Sequence, residues 1–478
     1  MTVIRTRFAP SPTGFMHVGG VRTALTAWLI ARKNTNGKFI LRLEDTDQKR
    51  HVEGSIEHLI KSLKALGIYY DEGPDIGGPF GPYKQSERLD IYKRWAQKLI
   101  DSGRAYSDPY TPQQIQTFRE QAKTENKAFL FRNHRPTNPP KWDGSTPLRF
   151  KSDPKSYNWH DEIMGDLHTG PEVIDDFILI KSDGFPTYNF AHIVDDAEMQ
   201  ITHIVRGQEF IPSQPNYLNL YEALGIQHPI FATIPHILNQ SGTKKLSKRD
   251  GAKDVLDYIN DGYLVEALIN FIASLGWNDG TEQEIFSRQE LIDKFSFDRV
   301  QKSGAHFDEK RLNWMNGQWI RKLPVDELYQ RTTNFWPISA VQVDDTRRKQ
   351  VLSLVQDRLK TLDDLTILTS YFFVEPVCNW NMVVSDKQLS KLPRDEITFI
   401  LKSAIAALEN SDFDAESLQK TLNSLLESTN QKPPVLFGLI RLAVTWSPFS
   451  PALNETLATL GSEKVKSRLQ TALNSCSI

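Results

Sequence analysis

Cysteine is nearly missing from this 478-residue chain. There are two, Cys378 and Cys476, far apart and in no spacing motif. That excludes a disulfide framework and any structural zinc site built from three or four thiolates. No apolar run approaches the ~20 residues of a membrane-spanning helix. The opening MTVIRTRFAPSP has no apolar signal core, so no membrane association and a cytoplasmic location are expected. An excess of one charge is missing too: 57 Lys+Arg stand against 59 Asp+Glu, a formal net charge of −2. Nothing in that balance announces a nucleic-acid partner, and a polyanion would have to be held by local patches. Repeats and low-complexity tracts are also lacking. What remains is an ordinary globular composition, 39% hydrophobic and 24% charged, with length for roughly three domains.

The first half alternates strands and helices. Val3–Phe8 reads as a strand, broken by Pro10–Gly14, and helical spacing follows through Val21, Leu25, Trp28 and Leu29. Lys38–Glu44 reads as a second strand. A helix over 53–66 carries Ile56, Leu59, Ile60 and Leu63 on one face, with Gly67 as its C-terminal stop. Strand–helix–strand of this length predicts a parallel, doubly wound sheet. After the Gly/Pro-rich crossing at 71–85 the pattern changes. Helices are expected at 86–102 and after Thr111-Pro112, a proline-rich loop over Asn133–Pro147, and short strands near 148–151 and 173–181. Alternation then resumes, with strands at 201–205 and 230–237 around a helix at 212–223, so the middle region reads as an insertion. From about 325 the periodicity is helical throughout, as in Val351, Leu354, Val355, Leu359 and Leu362.

Two clusters carry chemistry. Pro10-Ser11-Pro12-Thr13-Gly14-Phe15-Met16-His17-Val18-Gly19-Gly20 lies at a strand-to-helix turn. Its glycines let a ligand approach the backbone, and the helix N-terminus offers N–H groups to phosphates. It is neither a G-x-G-x-x-G nor a Walker A loop. Lys244-Lys245-Leu246-Ser247-Lys248-Arg249 is a cationic loop able to clamp a triphosphate and stabilise a departing pyrophosphate. Alone, the first is equally a helix cap with incidental glycines and the second a solvated surface loop.

Together they resemble the paired HIGH and KMSKS signatures of class I aminoacyl-tRNA synthetases. TRFAPSPTGFMHVGGVRTAL, FILRLEDTD, DEGPDIGGPFGPYKQSERL, SDGFPTYNFAHIVDD, ITHIVRGQE, KKLSKRDG and FDEKRLNWMNGQWIR are similar, in order and spacing, to glutamyl-tRNA synthetases of the bacterial and organellar type. The resemblance spans essentially the whole chain and is least motif-rich after about 330. It implies an α/β Rossmann-type catalytic domain (1–80 and 186–250) with an inserted α+β acceptor-binding domain (81–185). A stem-contact region (251–324) and an all-α anticodon-binding domain (325–478) follow. The implied reaction joins L-glutamate to tRNA(Glu) through a glutamyl-adenylate, with Mg2+ accompanying ATP and activation dependent on bound tRNA. Relatives that also charge tRNA(Gln), and a tRNA-binding paralogue without catalysis, share the pattern. A monomer is the family's usual form.

The resemblance also assigns residues. His17 and Gly19 match the first His and the Gly of HIGH, while Gly20 replaces the second His. Lys245 and Lys248 match the two KMSKS lysines, and Arg249 replaces the final Ser. Catalysis is then assigned to His17, Lys245 and Lys248. ATP is assigned to Pro12, Thr13, Gly14, His17, Gly19, Gly20, Lys245, Leu246, Ser247 and Lys248. Arg7 and Arg206 face the substrate's side-chain carboxylate, which guanidinium binds bidentately. Glu44 takes the ammonium, with Ser11 near it, Tyr188 gives a phenolic hydrogen bond, and His192 reaches the substrate carboxyl group. Arg358 is presented to the anticodon. Each has a plainer alternative: Glu44 could simply pair with Arg42 or Arg5, and Tyr188 could be a core aromatic. Many relatives hold zinc in the insertion through Cys-x-Cys and Cys-x-His, but the matching stretch Ala105–Tyr110 has no cysteine. His134 and His160 are lone histidines there, so no structural zinc is expected.

Overall fold

The structure, a computed structural model, describes residues 3–239, 241–246, 253–447 and 449–476. The chain divides into two compact units: Met1–Tyr258 with Leu268–Asp308, and Ile259–Ala267 with Glu309–Ile478.

The first unit opens with β1 (Arg5–Phe8), α1 (Val18–Arg32), β2 (Lys38–Leu41) and α2 (Ser55–Ala65). The middle region follows, with α3 (Leu89–Asp101), β3 (Ala105–Ser107), α4 (Pro112–Thr124), β4 (Leu148–Phe150), β5 (Tyr157–Asp161), β6 (Gly165–Thr169) and β7 (Ile178–Ile180). Then come α5 (Tyr188–Glu198), β8 (His203–Gly207), α6 (Gln214–Leu224) and β9 (Ile230–Ile234). The α1–β2 turn is tight because Gly37 lies against helix backbone: a Cβ there would stand 1.9 Å from the Ala31 carbonyl oxygen.

The main sheet runs β2-β1-β8-β9-β5-β6, parallel from β2 through β5 and antiparallel at β6. The chain leaves β1 for β2 on one side and returns to β8 on the other. Their boundary is a topological switch point, where the helices diverge and leave a crevice beyond the strands' carboxyl ends. β1 is buried along its length although it reads Arg-Thr-Arg-Phe. The charges survive because each is paired: Arg5 forks onto Glu72 at 2.8 and 3.0 Å, and Arg7 meets Asp196 at 3.0 Å.

Two sequence expectations differ from the fold. The strand expected over Lys38–Glu44 stops at Leu41, because the backbone beyond bonds to other segments. Leu43 N–H donates to the Tyr83 carbonyl (2.8 Å) and Glu44 N–H to that of Pro10 (3.0 Å). The β5–β6 hairpin had no counterpart in the periodicity reading. Its strands do alternate, Tyr157, Trp159 and Asp161 inward with Asn158 and His160 outward, but over only five residues each, and the turn is fixed by Asp161, whose Oδ1 accepts from the Ile163 and Met164 amides at 3.0 and 2.9 Å.

Elsewhere in the middle region, β3-β4-β7 form a separate antiparallel sheet. Its hub is Asp176, which accepts from Arg135 (2.7 Å), Tyr106 (2.8 Å) and Ser152 (2.6 Å). Beside it the ring of His134 stacks on Phe118 at 4.2 Å and on Phe129 at 5.7 Å, Phe131 meets Tyr110 edge-on, and Arg149 covers Phe131 at 3.4 Å. His160 pairs with Asp166. Among the described residues no group of three or more His, Cys, Asp or Glu could hold a metal, and no helix is long and apolar enough to cross a membrane.

The second unit is helical. One core gathers Leu264, Ile320, Leu328, Leu352, Val355 and Leu365. The other is built by the helices Arg394–Glu409, Ala415–Thr429, Pro433–Thr445 and Ser462–Cys476, through Ile400, Leu401, Leu422, Leu439 and Leu469. Asp414 caps the second of these helices, accepting from the Glu416 and Ser417 amides.

Candidate active site

A cavity of about 750 Å3 opens at the switch point. Residues just beyond β1 (Ala9–Gly14), β8 (Arg206, Gly207, Glu209) and β9 (Pro235, His236) line it, with the first turn of α1. Its size suits a nucleotide together with a small second substrate. Of the residues singled out from sequence, Arg7, Ser11, Pro12, Thr13, Gly14, His17, Gly19, Gly20, Glu44, Tyr188, Arg206, Lys245 and Leu246 all line it. Ser247 and Lys248 lie outside the described residues.

One end suits phosphates. His17 is the N-cap of α1, and its Nδ1 accepts from the Gly19 amide at 3.1 Å. In the neutral ring that places the proton on Nε2, a donor. The amides of the first helical turn and the helix dipole add positive potential. Lys245 sits on a short bridge opposite Leu238, its Nζ 3.1 Å from Glu209. Burial works against the Glu209 carboxylate, but backbone and Lys245 hydrogen bonds carry its pKa below the ordinary range. Arg22, also lining, donates to the Pro235 carbonyl at 2.6 Å, and burial lowers it to about 10, still cationic at neutral pH.

The other end is a buried charge network. Arg42 donates to Glu44 at 2.9 Å and to Asp196 at 2.7 Å, and Asp196 also takes Arg7. Asp195 is held by Arg88 at 2.7 Å and by Gln85 at 2.8 Å. Burial would raise the Asp196 carboxyl, but Arg42 and Arg7 outweigh it and hold it at about 2. Arg206 differs. Its guanidinium lies among Phe210, Tyr217 and Phe231 at 5.3–5.5 Å, and its buried Nη1 has no hydrogen-bond partner. Four guanidinium groups, Arg7, Arg42, Arg88 and Arg206, thus gather around three carboxylates, Glu44, Asp195 and Asp196. Burial, then the Glu44 charge, pushes the Tyr188 phenol up, so it stays a donor.

His192 does not line the cavity. Its Nδ1–H donates to the Tyr188 carbonyl at 2.7 Å, and the ring stacks on Tyr188 at 4.6 Å. Burial lowers it to about 3, leaving a neutral support for Tyr188. Arg358 is exposed in the second unit, at the end of a short 3-10 turn. Asp195, Asp196, Glu209 and His236 were not singled out from sequence, and Arg42 was named only as a plainer partner for Glu44, a pairing the structure shows at 2.9 Å. Arg42, Asp195 and Asp196 sit inside the quoted segments FILRLEDTD and SDGFPTYNFAHIVDD, where a charge between apolar residues was the available signal.

The chain carries the catalytic domain of a class I synthetase. The family model "tRNA synthetases class I (E and Q), catalytic domain" matches residues 3–314, and "Anticodon binding domain" matches residues 327–473. The chain is 39% identical to the glutamate–tRNA ligase of Dehalococcoides mccartyi, covering 98% of each, and 40% identical to that of Clostridium botulinum, again covering 98% of each. A crystal structure of a glutamate tRNA ligase from Elizabethkingia meningosepticum in complex with its amino acid superposes with a TM-score of 0.87 at 32% identity, covering 99% of this chain and all of that one. The chain belongs to the glutamate–tRNA ligase family.

Proposed function

We propose that the chain ligates L-glutamate to tRNA(Glu), activating glutamate with ATP as glutamyl-adenylate, releasing pyrophosphate, and passing the glutamyl group to the tRNA with release of AMP. The observation that carries this is the charge deficit of the cavity floor. Arg206 is buried, its Nη1 has no hydrogen-bond partner, and no carboxylate among the described residues pairs with it, so its guanidinium is open to a negative charge. Glutamate supplies that charge on its side chain. Glutamine would leave the guanidinium unpaired in low dielectric, at a cost of about 2–5 kcal/mol.

The roles follow. Arg206 and Arg7 take the side-chain carboxylate, Glu44 the ammonium, with Ser11 and Tyr188 completing the hydrogen bonds. Pro12, Thr13, Gly14, Gly19 and Gly20 give backbone approach to ATP, and His17, Lys245 and Lys248 balance charge on the reacting phosphates, with Leu246 and Ser247 in the same loop. The substrate carboxylate itself attacks the α-phosphate, so the protein contributes positioning and electrostatics rather than a nucleophile. Mg2+ arrives on the ATP phosphates with its own waters. The cavity carboxylates Glu44 and Glu209 are already committed to Arg42 and Lys245. Residues 81–185 serve the acceptor end, 251–324 the stem and 325–478 the anticodon, with Arg358 among its contacts. The working form is a cytoplasmic monomer.

ATP–pyrophosphate exchange with glutamate and with glutamine, with and without each tRNA, tests this. Glutamate-dependent exchange with tRNA(Glu) is expected. No exchange under any combination would overturn it, and charging of tRNA(Gln) as well would define a relaxed tRNA specificity.

A further inference from the structure

The two groups that read the charges of the amino acid, Arg7 and Glu44, are not independent. Asp196 Oδ1 accepts from Arg7 Nε at 3.0 Å and from Arg42 Nη1 at 2.7 Å, and its Oδ2 stands 3.4 Å from Arg7 Nη2. Arg42 Nη2 donates to Glu44 Oε1 at 2.9 Å. The result is a continuous chain, Arg7–Asp196–Arg42–Glu44, of alternating charge. Arg7 and Glu44 line the cavity, whereas Arg42 and Asp196 lie behind its wall. None of the four side chains is more than 5% exposed.

We infer that Asp196 and Arg42 are a pair of positioning residues that fix the separation and orientation of the carboxylate-reading and ammonium-reading ends of the site. The inference rests on the glutamate site proposed above. The Nε and Nη2 atoms of Arg7 are committed to Asp196, and its Nη1 to the Val205 carbonyl at 3.3 Å, so Arg7 is presented in one rotamer with a counter-ion attached. Glu44 is likewise held by Arg42, whose two terminal nitrogens divide between Glu44 and Asp196. A displacement at either end is carried to the other, because the two bridging groups are dry and each is shared. Asp195, the neighbour of Asp196 on α5, is bound by Arg88, Gln85 and Tyr92 and keeps the helix from turning. Labour is then divided. Arg206, without a counter-ion, supplies net charge, and Arg7 supplies geometry.

A buried ion network can also exist for stability alone, and burial of a charge pair is weak evidence of function. The test therefore separates the substrates. Asp196→Asn and Arg42→Lys are assayed by ATP–pyrophosphate exchange in the presence of tRNA. Asp196→Asn keeps shape and loses the charge, and is expected to raise the glutamate KM about 100-fold, the scale for unpairing one member of a buried charge pair. Arg42→Lys keeps the charge and loses the fork, with an expected rise of about tenfold. The ATP KM and the kcat at saturating glutamate should stay within about threefold of wild type, since uniform binding of one substrate is what is lost. An unchanged glutamate KM, or an equal rise for glutamate and ATP, would overturn the inference. If Asp196→Asn does not fold, Arg42→Lys decides by the same split. Failure of the underlying glutamate site would show in the wild-type enzyme instead, as absence of glutamate-dependent exchange.

Discussion

Glu44 gives the sharpest handle on the site. Burial pushes its carboxyl up, against the pull of Arg42 and Arg7, from 4.5 to about 6. A carboxyl proton must be absent for Glu44 to pair with a substrate ammonium. Its loss of charge on acidification therefore removes that partner just below physiological pH. In the free enzyme, kcat/KM for glutamate should fall about tenfold per pH unit below about 6 and level off above it. Of the neighbouring groups, His192 and Asp196 lie near 3 and 2, outside the window, and the Glu44→Gln control separates Glu44 from His17 and His236, which also line the cavity. The same shift has a stability signature. The folded-state pKa exceeds the unfolded one, so folding takes up a proton between 4.5 and about 6. The cost of holding Glu44 ionised is absent at lower pH, accrues across that window, and is fully present above it, at about 2 kcal/mol. Exchange kinetics from pH 5 to 8, beside thermal unfolding over the same range, measure both. Glu44→Gln should raise the glutamate KM throughout and remove the acid limb. A flat wild-type profile down to pH 5, or an unchanged break in Glu44→Gln, would refute the assignment.

Three further outcomes are expected. Arg206→Gln should lower kcat/KM for glutamate by at least about 30-fold, the lower end of the cost of losing a buried charge partner, with ATP KM measured beside it as the control. A Cβ at Gly19 would stand 3.0 Å from His17 Cε1, whereas one at Gly20 meets only ordinary contacts at 3.8 and 3.9 Å. Gly19→Ala should therefore raise the ATP KM several-fold by displacing the His17 ring, and Gly20→Ala should raise it only where ATP itself approaches that backbone, neither changing the thermal midpoint much. Elemental analysis of the purified protein should find far less than one zinc per chain, and Phe118→Ala should cost about 2 kcal/mol in chemical denaturation by removing the ring that stacks on His134. About one tightly held zinc per chain would contradict that account.

Most of the proposed site residues were legible because they lie in segments that resemble the family, and these segments sit in or beside loops between strongly periodic elements. Pro10–Gly20 interrupts a strand and a helix, and Arg206 ends a strand, so both stand out against their surroundings. Glu44 was assigned by resemblance, and in the structure it lies beyond the end of β2, where its amide bonds to the Pro10 carbonyl. His192 shows the limit in the other direction. Helical spacing puts it one turn from Tyr188, but whether such a residue faces a cavity or the core depends on what packs against the helix, and here Tyr217 closes it off edge-on at 4.6 Å. The pairing of Arg42 with Asp196 was hidden for the same reason. A charge in a buried strand or helix announces a partner, yet the partner lies 154 residues away and only the folded sheet brings the two together.

One helix, α5, contributes Tyr188 to the cavity, His192 behind it, and Asp195 and Asp196 to the ionic framework underneath. Substrate choice and core integrity are consequently inherited together. A laboratory library that varies only the lining positions explores sequences whose foundations still present Arg7 and Glu44 at the spacing glutamate needs. Converting such an enzyme to a neutral amino acid should then require coupled changes at positions no ligand touches, and single-step evolutionary routes between specificities should be sparse.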